Sequence, residues 1–111
     1  WYYAEKIRKS RYNLDQEALR PYFPLENVKQ GIFELSNRLY GITFQPAVLP
    51  VYNNECVAYE VYDTDGSLLG ILYMDLYPRA GRKGPGAWCG TFRDQSYKDG
   101  ERVVPIADCL P

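Results

Sequence analysis

Asp65-Gly66-Ser67-Leu68-Leu69-Gly70-Ile71-Leu72-Tyr73-Met74-Asp75-Leu76-Tyr77-Pro78-Arg79 is the run that decides the fold. The Asp-Gly pair at its head is a strong short-range signal for a β-hairpin, because its turn needs residues that accept a positive φ. Residues 68–77 then read as the longest strand of the chain. Leu72, Met74 and Leu76 fall on one face, and Ile71, Tyr73, Asp75 and Tyr77 on the other. Apolar side chains on both faces predict a central strand covered on both sides. Asp75 is out of place in such a strand. A buried carboxylate must find partners, and Arg79 or a backbone amide lies within reach.

Upstream of the turn, residues 56–62 are β-branched and aromatic and supply the hairpin's first arm. Ile42-Thr43-Phe44 is a shorter strand, with Pro46 and Pro50 breaking up the stretch after it. Before it the period changes. Leu25, Val28, Ile32, Leu35 and Leu39 step by three or four, the mark of one apolar helix face, widened by Phe33 and Tyr40. Pro24 and Glu26 suit the start of that helix, and Arg38 and Gly41 its end. The stripe calls for a buried partner surface. A shorter helix is expected after Asn13, its N-cap, with Pro21 closing it. The first residues are helical in composition but carry no start signal, which suggests that an upstream part has been removed.

Downstream, residues 78–86 are a loop by composition, and residues 102–107 a last strand that Pro105 confines to an edge or an end. Helices first and strands after predict an α+β fold: one subdomain, helices over about 1–41 and a small antiparallel sheet over about 42–107.

Composition narrows the chemistry. Hydrophobic residues make up 46% and charged residues 24% of the 111, which is the balance of a globular chain. Thirteen basic against 14 acidic side chains leave a net charge of −1 with no clustered basic field, so neither nucleic acid nor an anionic membrane is an expected partner. No apolar run approaches the roughly 20 residues that span a bilayer. There is no histidine, which removes the commonest zinc ligand and the commonest general base. Cys56, Cys89 and Cys109 are odd in number and irregularly spaced, and read as free thiols in a reducing compartment. Seventeen aromatic side chains, 11 of them tyrosine, fit a packed core or a binding surface.

Further motifs sharpen the assignment. Arg20-Pro21-Tyr22-Phe23-Pro24-Leu25-Glu26, the amphipathic helix after it, and Arg38-Leu39-Tyr40-Gly41-Ile42-Thr43-Phe44 succeed one another in order. The hairpin run, Gly86-Ala87-Trp88 and Phe92-Arg93-Asp94-Gln95-Ser96 come next. This succession resembles the thimet oligopeptidase and peptidyl-dipeptidase family of zinc metallopeptidases, over nearly all of this chain but only a small part of such an enzyme. The resemblance implies a mostly helical, clam-like peptidase with one small sheet beside its cleft. The zinc site in that family is a His-Glu-x-x-His helix with a further Glu, where two His one turn apart hold the metal and the Glu activates its water. That helix is expected downstream of this segment. Zinc is therefore implied for the intact enzyme and no cofactor for this chain, with short peptides as substrates and a cytoplasmic, or in bacteria periplasmic, location. Pro85 and the run Ala107-Asp108-Cys109-Leu110-Pro111 depart from the family pattern.

No catalytic or metal residue is assigned within the chain. Gly86, Ala87 and Trp88 are the expected substrate-binding residues, since small residues let a peptide backbone approach. Arg82 and Tyr77 join them, with Arg79 and Lys83 as further candidates to steer a carboxylate. The competing readings are a stand-alone, non-catalytic peptide- or protein-binding module derived from the family, and a tyrosine-rich carbohydrate-binding module. A piece of a larger enzyme leaves apolar faces uncovered, so self-association through the helix stripe or a sheet face is expected.

Overall fold

A computed structural model describes residues 1–13, 15–79, 81 and 86–110. Helix α1 (Tyr2–Tyr12) ends where Asn13 takes the left-handed conformation, φ 47°, and donates its N–H to Lys9 O at 3.1 Å. Asn13 is thus the C-cap of α1, not the N-cap of the next helix. Its short polar side chain tolerates the left-handed region, which decides the matter. The side chain that accepts an N–H at the start of α2 (Gln16–Leu19) is Asp15, whose Oδ1 receives the Glu17 amide at 3.0 Å. A 3₁₀ turn, Arg20–Tyr22, comes next and contains Pro21. Helix α3 (Leu25–Tyr40) begins after Pro24 and stops at Gly41, φ 74°, whose N–H reaches Asn37 O at 2.7 Å. A side chain at Gly41 would run into the Thr64 methyl, so this C-terminus requires glycine on two counts.

The chain divides into two compact units, Trp1–Leu35 and Ser36–Pro111, with the boundary inside α3. In the first unit, Tyr22, Phe23, Val28, Ile32 and Leu35 line an open apolar groove. The expected burial of the α3 stripe does not occur among the described residues: Val28, Ile32, Leu35 and Leu39 are all exposed.

The second unit is a five-stranded sheet in the order β1-β2-β3-β5-β4. The strands are β1 (Thr43–Ala47), β2 (Val57–Tyr62), β3 (Leu68–Met74), β4 (Trp88–Arg93) and β5 (Ile106–Leu110). The β2–β3 hairpin turns through Asp63-Thr64-Asp65-Gly66-Ser67, with Gly66 at φ 81° and Asp65 Oδ1 accepting the Ser67 amide at 2.8 Å. Strand β3 is central in the sheet, but Leu68 to Tyr73 are half-buried rather than covered on both sides, and the strand ends at Met74, before Asp75. Pro46 does not break β1; it lies within it, on the outermost strand, where a missing N–H costs no ladder bond.

Two features of the sheet depart from the sequence reading. The sheet is mixed, because β3 and β5 run parallel, Ile71 opposite Ile106 through Met74 opposite Cys109. The last strand lies later than residues 102–107, and β4 has no counterpart among the expected strands. Arg102 explains part of the displacement: its guanidinium donates to the carbonyls of Leu68 and Leu69 at 2.6 and 2.7 Å and to Gln95 Oε1 at 2.9 Å. It docks the approach to β5 on the start of β3, and the strand proper begins after Pro105. Among the described residues the buried apolar side chains are Cys56, Ala58, Tyr59 and Met74, all on or beside β2 and β3.

Candidate functional site

Among the described residues, strand β4 is the sheet's second edge, bonded to β5 alone. Gly86, at φ 119°, and Ala87 lead into it, and both are exposed. Trp88 is the strand's first residue, opposite Leu110, with 57% of its surface in solvent. Gly86, Ala87 and Trp88 therefore form one continuous stretch at the entry to an open strand edge. Tyr77 sits apart from it in sequence, exposed in the bend after β3. Arg82 and Lys83 lie outside the described residues.

Gly90, which the sequence reading does not single out, lies two residues on and therefore on the same strand face as Trp88. The Trp88 ring lies over it, where a side chain at Gly90 would collide with Cε3 and Cζ3. Glycine here lets the indole lie flat along the strand. The Trp-x-Gly spacing is the signal that could have found it.

On the opposite face, Cys89 and Cys109 are joined in a disulfide, which corrects the expectation of free thiols. They are 20 residues apart in sequence but directly opposed in the β4–β5 register, with Cα atoms 4.2 Å apart. That spacing suits a non-hydrogen-bonded antiparallel pair, whose side chains approach most closely. Cys56 is buried and takes no part.

Asp75 is the most deeply buried polar residue, 1% exposed. Its expected partner is present: Arg79 donates to Oδ1 from Nη1 at 2.7 Å and to Oδ2 from Nη2, a bidentate pair. The Tyr52 hydroxyl donates to Oδ2 as well. Arg79 Nη1 also reaches Glu55 at 3.1 Å, so this arginine is engaged with carboxylates and is not a solvated loop cation. The Asp75 and Glu55 carboxylates hold the Arg79 guanidinium above its ordinary value. Tyr52 is exposed over most of its ring, but its hydroxyl end reaches the buried carboxylate. Desolvation there, then the hydrogen bond to Asp75, push its pKa up to about 12. A carboxylate with its oxygens so occupied is a structural anchor.

The donor set does not fit zinc. The chain has no histidine, and two of its three cysteines are bonded to each other. Among the described residues no three His, Cys, Asp or Glu side chains are placed to hold a metal ion. No helix among them is long and apolar enough to cross a membrane.

The sequence profile of peptidase family M3 matches residues 1–109. This chain belongs to peptidase family M3. It is similar to the dipeptidyl carboxypeptidase of Salmonella typhimurium, 40% identical over 97% of this chain and 16% of that protein. Oligopeptidase A of Escherichia coli is 38% identical over 96% of this chain and 16% of its own length. The organellar oligopeptidase A of Arabidopsis thaliana is 40% identical over 78% and 11%. The chain spans about one-sixth or less of these relatives. The family and the α+β fold thus agree with the sequence reading.

Proposed function

We propose that this segment of the M3 family forms part of the substrate-cleft wall of a zinc-dependent oligopeptidase or peptidyl-dipeptidase and has no catalytic activity alone. The observation that carries this reading is the β4 edge: one side unpaired in the sheet, Gly86 and Ala87 at its entry, Trp88 beside them in solvent. An extended peptide pairs with such an edge through main-chain hydrogen bonds, and an aromatic side chain then covers an apolar residue of the peptide. Arg82 and Tyr77 complete the proposed binding set. Zinc and its ligands belong to the intact enzyme, because this donor set cannot supply them. Short peptides are the proposed substrates and the cytoplasm the proposed location.

The test is a titration of the isotope-labelled chain with short unstructured peptides, monitored by amide NMR. Shifts concentrated on residues 86–93 support the reading, and a titration that leaves those amides unmoved overturns the docking role. A fluorogenic peptide assay with added zinc addresses the second half. No turnover is expected, and zinc-dependent hydrolysis by this chain overturns its inactivity. The uncovered α3 stripe supports a further proposal, self-association of the isolated chain. Sedimentation showing only monomer at high concentration refutes it.

A further inference from the structure

We propose that Cys89–Cys109 is a thiol–disulfide exchange site for small soluble thiols of the glutathione class, and that its reduction unlatches the β4 edge. Four observations converge on it. First, the bond is the tie between the strands at that rung. The Cys109 carbonyl accepts the Asp75 N–H at 3.0 Å, on the β3 side. A residue's N–H and C=O point to the same side of its strand, so Cys109 offers β4 no backbone hydrogen bond.

Second, the two sulfurs have unequal anchorage. Cys109 is fixed through that bond to Asp75, whose side chain is held by Arg79 and Tyr52. Cys89 sits on an edge strand with one neighbour, in a ladder whose register shifts between Thr91 and Arg93. Opening the bond therefore releases the edge and leaves the core strand in place. Third, access is graded in the useful direction: Cys89 is exposed, Cys109 half-buried and Cys56 buried. Fourth, Trp88 and Gly90 flank Cys89 on either side, so the released residues are those of the proposed docking edge.

The exchange balances with two thiols. One thiolate attacks Cys89 Sγ, the Cys89–Cys109 bond breaks, and Cys109 leaves as a thiolate that takes up a proton. A second thiolate attacks the sulfur of the attached small thiol, which releases Cys89 and forms the small-molecule disulfide. Two thiols are oxidised and one protein disulfide is reduced. Loss of peptide affinity on reduction rests on the edge-docking reading above, whereas the latch itself does not.

The experiment treats the oxidised chain with reduced glutathione in native buffer, then alkylates it with iodoacetamide and maps the label by mass spectrometry. Label is expected on Cys89 and Cys109 and not on Cys56. Hydrogen–deuterium exchange of the reduced, alkylated chain is expected to quicken over residues 88–93 by roughly tenfold or more beyond any change over β2 and β3, because the edge opens locally. A Cys89→Ser/Cys109→Ser chain should reproduce the fast edge without alkylation. No label on either cysteine, or unchanged exchange over 88–93, overturns the latch. Equal acceleration across β2 and β3 overturns it too, since the bond then supports the whole unit. If the edge opens but peptides bind neither form, the docking reading fails and the latch stands.

Discussion

Replacing Asp75 with alanine puts the buried charge cluster to the hardest test. The substitution removes the acceptor for two Arg79 hydrogen bonds and for the Tyr52 hydroxyl at a site 1% exposed. Breaking a buried ion pair from one side costs about 3–5 kcal/mol, because the remaining charge loses its partner without regaining water. Arg79 retains Glu55 at 3.1 Å and 19% side-chain exposure, which places the cost near the lower bound, about 3 kcal/mol. At roughly 4 °C per kcal/mol for a chain of this length, the midpoint of thermal unfolding should fall by about 12 °C. Urea unfolding monitored by circular dichroism measures the free energy directly. The partner variant Arg79→Met removes the cation from the buried Asp75 carboxylate and should cost a similar amount. The double variant Asp75→Leu/Arg79→Met, which buries neither charge, should recover much of the loss. A cost below about 1 kcal/mol for Asp75→Ala would refute the assignment of this cluster as the anchor of the sheet's end.

The same cluster predicts an alkaline instability. Tyr52 titrates higher in the folded chain, at about 12, than its ordinary value of 10.0, so its share of stability is full below pH 10 and is lost as the pH rises towards 12. Tyr52→Phe should flatten that part of the stability profile, and an unchanged alkaline slope counts against the hydrogen bond to Asp75. Gly90→Ala should push the half-exposed indole off the strand at a small cost in stability, about 1 kcal/mol or less. Trp1 is already fully exposed, so any red shift in tryptophan emission reports Trp88, and an unshifted spectrum refutes the packing. Cys89→Ser opens a loop with a sequence separation of 20 and should cost about 3 kcal/mol if unfolded-chain entropy dominates. Unfolding of the reduced wild-type chain should then match that variant.

Much of the architecture is legible along the chain, for reasons that are local. The α3 stripe, its Pro24 start and its Gly41 stop depend on side chains within a turn of one another. Asp65-Gly66 marks the hairpin because the constraint on φ lies in the residues themselves. The partner of Asp75 is also within sequence reach, four residues on. Gly86-Ala87-Trp88 can be singled out by residue type and family resemblance, but their place at the head of an edge strand cannot. Strand β4, broken by Gly90 and lacking clean alternation, carries little signal until β5 is beside it.

Residue order alone thus specifies the helices, the hairpin, the family and the lack of a histidine with which to bind zinc. Strand order, the parallel pairing of β3 with β5, the indole lying on Gly90 and the Cys89–Cys109 bond emerge only once the strands are assembled. The cause is register. Whether two cysteines 20 residues apart meet or miss depends on how their strands align, and a slip of one residue would send one of them to the opposite face.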